Sequence, residues 1–261
     1  MKFATWNVNS VRQRQGLVTD WLAANRPDLL LLQEIKCEAG QFPSDAFREA
    51  GYESEVVGQK SYNGVAILSR VPVAVMHRHL PGLAAPDGGE HQARYVEVRA
   101  EGIVFGNLYL PNGNSGGADG YAAKLAWMDA LVEHARAMLA DETDFVLAGD
   151  YNVAPADEDF APGALSADDA LIRPETRRRF RTLRWLGLTD ALRALTPQGP
   201  VYTFWDYQAG CWPRDRGLRI DHAMLSPRLA ERLTGAMPDR MERDRPQPSD
   251  HVPLVVTLDD A

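Results

Sequence analysis

Residues 248–256 read PSDHVPLVV. From Val252 onward the run is apolar and largely β-branched, which predicts a strand over 252–258. An acidic residue and an imidazole, Asp250 and His251, stand at its mouth. A strand built only for burial has no use for them there, whereas a rigid strand end is where a scaffold presents functional groups. The same arrangement recurs along the chain. Asn7 and Asn9 follow an apolar strand at 2–7, Glu34 follows DLLLLQ at 28–33, and Tyr109 and Asn112 close the run at 103–110. Asp150 and Asn152 follow FVLAG at 145–149, and Asp221 lies in a strand at 218–226.

Between these strands the apolar spacing turns helical. Helices are predicted over 11–24, 120–140 and 175–186, with further strands at 64–69 and 201–206 and a hairpin of 94–99 with 103–110. The chain has 261 residues, 45% hydrophobic and 25% charged, with no linker, repeat or low-complexity segment. That composition suits an ordinary globular protein, read here as one domain over 1–261. Many strands interleaved with helices predict two packed sheets with helices outside. No apolar run approaches the ~20 residues that span a bilayer. MKFATWNVNSVRQRQ turns polar after a few residues, which predicts no secretory leader. With only Cys37 and Cys211, far apart, free thiols in a cytoplasmic monomer are expected.

Taken singly, each strand-end residue has an ordinary explanation. Asp and Asn after a strand are usually turn residues or helix caps. Tyr109 reads as half-buried core, and His251 as a satisfied structural histidine. The recurrence of carboxylates, carboxamides, a phenol and an imidazole at strand ends throughout the chain argues instead for one converging polar site. Carboxylates and carboxamides without a thiol cluster are hard oxygen donors, suited to Mg²⁺ or Mn²⁺. Magnesium takes few protein carboxylates, so Glu34 can anchor an ion while other acids remain for acid–base work. Phosphodiester hydrolysis needs that combination: an activated water, charge stabilisation at phosphorus and help for the leaving oxygen.

TWNVNS, LLQEIK, LYLPNG, GDYN, RGLRIDH and PSDH occur in this order over residues 1–258. Together they resemble the exonuclease III family of apurinic/apyrimidinic endonucleases, within the endonuclease/exonuclease/phosphatase superfamily. GDYN and SDH are shared across the superfamily, whereas WNVNS, LQEIK and DRGLRID are specific to this branch. The resemblance implies an α/β fold, a four-layered αββα sandwich of two mixed sheets flanked by helices. It implies that Asn7 and Glu34 hold Mg²⁺, with Asp250 near the same ion and Asp150, Asn152 and His251 around it. Asp150 would deprotonate the attacking water and Asn152 would bind the phosphate. Tyr109 would stabilise charge or act as a phenolate, and His251 would contact a phosphate oxygen while paired with Asp221. Asn9 and Asn112 become further phosphate contacts, and Phe204, Leu218 and Ile220 become walls of an abasic-sugar pocket. The implied substrate is double-stranded DNA carrying abasic sites or blocked 3′ ends.

Trp205 is expected in the core, whereas Trp212, in a loop with Arg214 and Arg216, is a candidate to stack or insert at DNA. A net charge of −8 argues against a polyanionic partner. Against it stands RPETRRRFRTLR at 173–184, with six arginines. Arg173, Arg177, Arg181 and Arg184 share one helical face that could track a phosphate backbone, or simply be solvated. Lys36, Lys60 and Arg94 are further candidate phosphate contacts. Three other functions compete. A superfamily cousin could act on undamaged DNA, phosphoinositides or sphingomyelin; RGLRID and the absence of a membrane-binding segment weigh against the lipid enzymes. A catalytically dead DNA-binding relative would lack Glu34, Asp150 or His251, and all three are present. A serine hydrolase built on Ser249 and His251 lacks a nucleophile elbow.

Overall fold

A computed structural model of the protein describes residues 1–85 and 89–259. Two six-stranded mixed sheets pack face to face. The first runs β11 (Leu233–Pro238), β12 (Leu254–Leu258), β1 (Lys2–Asn7), β2 (Leu29–Gln33), β4 (Val65–Ser69), β3 (Glu53–Val57). The second runs β5 (Val73–His77), β6 (Tyr95–Ala100), β7 (Ile103–Tyr109), β8 (Phe145–Asp150), β10 (Asp221–Leu225), β9 (Thr189–Asp190). Period-two alternation decides the layers. Along β1, Phe3 enters the core between the sheets with Leu31, Ile67, Phe105 and Val146, whereas Ala4 and Trp6 point outward. The outward residues pack under α1 (Val11–Asn25) and α2 (Ser44–Glu49). On the far side, Leu108, Phe145 and Leu147 meet α3 (Gly117–Ala140) and α4 (Pro174–Trp185). The result is the four-layered αββα sandwich.

The strands that the sequence pattern misses are β3, β5, β9 and β11, and each lies at a sheet edge. Edge strands are half-exposed, as the mostly intermediate burial of β3 shows, and so carry no clean apolar signature. The predicted strand at 201–206 is not one. Its backbone makes only isolated bridges, Phe204 to Leu218 and to His251. Thr203 N donates to Leu218 O, while Trp205 N donates to Asp250 O, so the segment ties the two sheets together instead of extending either ladder. Among the described residues no helix is long and apolar enough to cross a membrane.

Candidate active site

The strand ends meet at one rim of the sandwich. β7 and β8 run parallel with Tyr109 opposite Asp150, and β10 runs antiparallel to β8 with Asp221 opposite Asp150. Three adjacent strands thus present a phenol and two carboxylates in one row. Gly149 permits the close approach: a Cβ there would lie 1.9 Å from the Leu108 carbonyl oxygen. From the other sheet, parallel β1 and β2 bring Asn7 beside Gln33, with Glu34 next in chain. Glu34 and Asn152 both adopt left-handed backbone, at φ 50° and 48°, which turns the chain sharply as each strand ends. Such conformations in non-glycine residues mark positions that the surroundings over-determine.

The side chains form one connected network. Asn7 Nδ2 donates to Glu34 Oε1 at 2.9 Å and to Asp150 Oδ2 at 3.0 Å. Tyr109 hydroxyl donates to Glu34 Oε1 at 2.9 Å, and Lys36 Nζ lies 2.9 Å from Glu34 Oε2. Asn152 N–H donates to Asp150 Oδ1 at 2.8 Å. Asn112 Nδ2 donates to Asn152 Oδ1 at 2.9 Å. His251 Nδ1 donates to Asp221 Oδ2 at 2.9 Å, leaving Nε2 at 3.8 Å from Asp150 Oδ2. Asn9 Nδ2 donates to Asp250 Oδ1 at 3.1 Å. A cleft of about 540 Å³ opens over this floor, with Phe204, Leu218 and Ile220 on one side and Asp250 and His251 beside them. The Phe204 ring meets His251 edge-on at 4.9 Å.

Burial and the charged partners within it together set the protonation states. Full burial raises Asp150 to about 7, against the pull of His251. Burial opposes charge on His251 as well, but Asp221 outweighs it through charge and hydrogen bond, and the imidazole rises to about 10. For Glu34 burial is again the largest influence and pushes upward; Lys36 and Asn7 overcome it and hold the carboxyl below its usual value. Tyr109 is pushed well above the ordinary phenol, first by burial and then by the carboxylates of Glu34 and Asp150. In this arrangement the phenol keeps its proton and donates it in the hydrogen bond to Glu34. Four carboxylates, Glu34, Asp150, Asp221 and Asp250, share this rim with Lys36 and His251 as near cations. An oxygen-rich, thiol-free set with surplus negative charge fits a hard divalent cation. Among the described residues, Asp150, Asp221 and His251 place ligand atoms within 4.8 Å of one another.

Several expected DNA contacts are engaged with other partners in the chain. Trp212 Nε1 donates to Asp244 at 2.7 Å, its ring packs edge-on against Trp205 at 4.8 Å, and Arg240 lies 5.3 Å from its centroid. In this arrangement its indole is held against the protein, while Trp205 is fully buried as expected. Arg177 folds inward, donating to the Ala154 carbonyl at 2.9 Å and to Asp157 at 2.8 Å. Arg173 lies over the Tyr121 ring at 4.4 Å, so the four-arginine face is not one continuous surface. Arg94 is likewise held, 4.6 Å from the Tyr109 ring centroid, and Lys36 is bound to Glu34. Two contributors escaped the sequence reading. Thr203 Oγ1 donates to Asp221 Oδ2 at 2.6 Å and carried no sequence signal. Lys124 did carry one: it interrupts the apolar stripe of α3 that continues through Trp127, Met128 and Leu131.

Residues 4–251 match the Endonuclease/Exonuclease/phosphatase family. Exodeoxyribonuclease III of Haemophilus influenzae is 30% identical, with 97% of this chain and 98% of that protein covered. Among solved structures, the 3′ phosphatase NExo from Neisseria, bound to a product DNA hairpin, superposes with a TM-score of 0.92 at 38% identity over 99% of both chains. An AP endonuclease from Archaeoglobus fulgidus superposes with a TM-score of 0.92 at 34% identity over the whole of both chains.

Proposed function

Since the chain belongs to the endonuclease/exonuclease/phosphatase family, in its exonuclease III branch, we propose that it is a Mg²⁺-dependent DNA repair phosphodiesterase. It incises duplex DNA 5′ to abasic sites and clears blocked 3′ ends, with 3′→5′ exonuclease activity on the same centre. It works as a single-domain, cytoplasmic monomer. The observation that carries the reading is the row Tyr109–Asp150–Asp221 across three adjacent strands, facing Glu34 and Asn7, under a cleft with one apolar wall.

In this reading Asp150 takes a proton from the attacking water. Its elevated pKa suits a base working near neutrality, and the Asn152 N–H fixes its orientation. The His251 imidazolium, held by Asp221, points Nε2 at a phosphoryl oxygen. The carboxamides of Asn152 and Asn112 each have a second N–H to offer the same group. The Tyr109 hydroxyl and Asn9, now bonded to Glu34 and Asp250, would turn to it when those carboxylates turn to the cation. Preorganised donors in a buried site stabilise developing charge without reorganising. A bound Mg²⁺, held by Asn7 and Glu34 with Asp250 close by, would neutralise phosphate charge and that of the leaving 3′ oxygen. The wall of Phe204, Leu218 and Ile220 offers an apolar slot for an extruded sugar without its base, which has little stacking to lose.

The test is cleavage of three matched duplexes, one with a single abasic-site analogue, one with a 3′-phosphate and one intact, in Mg²⁺ and in EDTA. Metal-dependent incision at the analogue is expected. Removal of the 3′-phosphate without incision would make the protein a 3′-end-processing phosphatase. No cleavage of any duplex would overturn DNA as the substrate.

A further inference from the structure

The buried face of α3 carries one cation. Lys124 precedes Trp127, Met128 and Leu131 by three, four and seven positions, so it lies on the stripe that packs against the second sheet. It is 0% exposed. Its ammonium donates to three backbone carbonyls: Pro111 at 3.2 Å, Asn112 at 3.0 Å and Asn152 at 2.7 Å. An ammonium has three N–H bonds, and each here has one acceptor. The first two carbonyls belong to the loop after β7 and the third to the loop after β8.

These are the loops whose carboxamides meet at the cleft. Asn112 Nδ2 bonds Asn152 Oδ1, and Asn152 Nδ2 bonds the Leu110 carbonyl at 3.0 Å. Asn152 holds its left-handed backbone between the ammonium behind it and Asp150 beside it. Gly113 completes the fit: at φ 87° it turns the first loop back, and a Cβ there would lie 2.6 Å from Lys124 Cδ. An apolar residue of similar length would serve helix–sheet packing without the desolvation cost of a buried charge. Packing alone therefore does not explain a lysine at this position.

We propose that Lys124 is a positioning residue of the phosphodiesterase centre: by tying three carbonyls of two loops to one ammonium, it holds the Asn112 and Asn152 carboxamides at the scissile phosphate. The proposal rests on the reading of Asn152 given above. Lys124 touches no reacting atom and acts only through those two residues.

A double-mutant cycle tests it, using Lys124→Gln, Asn152→Ala and the combination, with Mg²⁺ and an abasic-analogue duplex. Lys124→Gln keeps two of the three donors and is the variant expected to fold; Lys124→Met removes all of them. Every protein is assayed well below its own Tm, so that unfolding is not read as lost turnover. Misplacement by a fraction of an ångström is expected to lower kcat about 10- to 100-fold with KM changed less than about threefold. In the Asn152→Ala background the further loss should shrink to less than about threefold, because the Asn152 carboxamide is gone and Asn112 loses the acceptor that orients it. A folded Lys124→Gln protein with unchanged kcat overturns the proposal. So does the same fold-loss in both backgrounds, which marks a purely structural lysine. If Asn152→Ala by itself leaves kcat unchanged, the assignment of Asn152 falls and the proposal falls with it; an impaired Asn152→Ala with an additive cycle overturns the role of Lys124 alone.

Discussion

Replacing Asp221 with Asn removes one charge from the His251 pair at almost constant shape. His251 rises from an ordinary 6.5 to about 10, with burial opposing the charge, Asp221 the strongest influence in its favour, and Asp150 and Asp250 adding to it. At about 1.4 kcal/mol per pH unit, that gap is worth roughly 5 kcal/mol in favour of the imidazolium. A folded-state pKa above the unfolded one gives stability that is fully present below pH 6.5 and lost as pH rises towards 10. In metal-free protein, urea unfolding should therefore show this one group costing the wild type about 1.4 kcal/mol per pH unit across that window. The variant should be the less stable protein at pH 6.5, and the gap should close towards pH 10. A titration of the His251 ring resonance by NMR should place its midpoint at least two pH units lower in the variant. At pH 9 the phosphate then faces a largely neutral imidazole, and kcat should fall towards the loss of about 10²- to 10³-fold that is usual for one preorganised donor. A variant histidine that still titrates above pH 9, or a stability gap that does not change with pH, would refute the electrostatic account.

Asp150→Asn should lower kcat by at least about 10³-fold while abasic-duplex affinity, read by fluorescence anisotropy, changes little. Because burial raises Asp150 to about 7, activity should fall tenfold per unit below that pH, and the acid limb should move to lower pH as Mg²⁺ is raised. Arg219→Met leaves the buried carboxylates of Asp159 and Asp190 without the guanidinium that bonds them at 2.7 and 2.8 Å, and should cost about 3–5 kcal/mol in urea. Asp159 sits at about 2, where its bonds to Arg219 and Arg193 outweigh burial. Its share of stability is present above pH 3.8 and lost as pH falls towards 2; the variant should lose that acid sensitivity. Tyr109→Phe should lower kcat about 10- to 100-fold without moving the alkaline limb, and no phenolate absorbance near 295 nm should come from Tyr109 below pH 11.

The sequence by itself singled out the polar residues that gather at one rim and the layering that brings them together. Interior strands announce themselves because both faces are buried, as in DLLLLQ and FVLAG, and a polar residue ending such a run is ordinary by itself and telling only because it recurs. Burial and turn chemistry are local properties, so a local pattern encodes them. Edge strands β3, β5, β9 and β11 are half-solvated and lack that pattern, and the segment at 201–206 has an apolar, aromatic composition but bridges two sheets. Only the tertiary structure decided the rest. The placement of Tyr109 and Asp221 opposite Asp150 is a matter of strand register. The pinning of Trp212 by Asp244 and of Arg177 by Asp157 joins residues 32 and 20 positions apart. The protonation of His251 depends on the nearness of Asp221, and that of Tyr109 on how completely water is excluded from the rim. Distances and desolvation of that kind arise from long-range packing, so no window of the chain contains them.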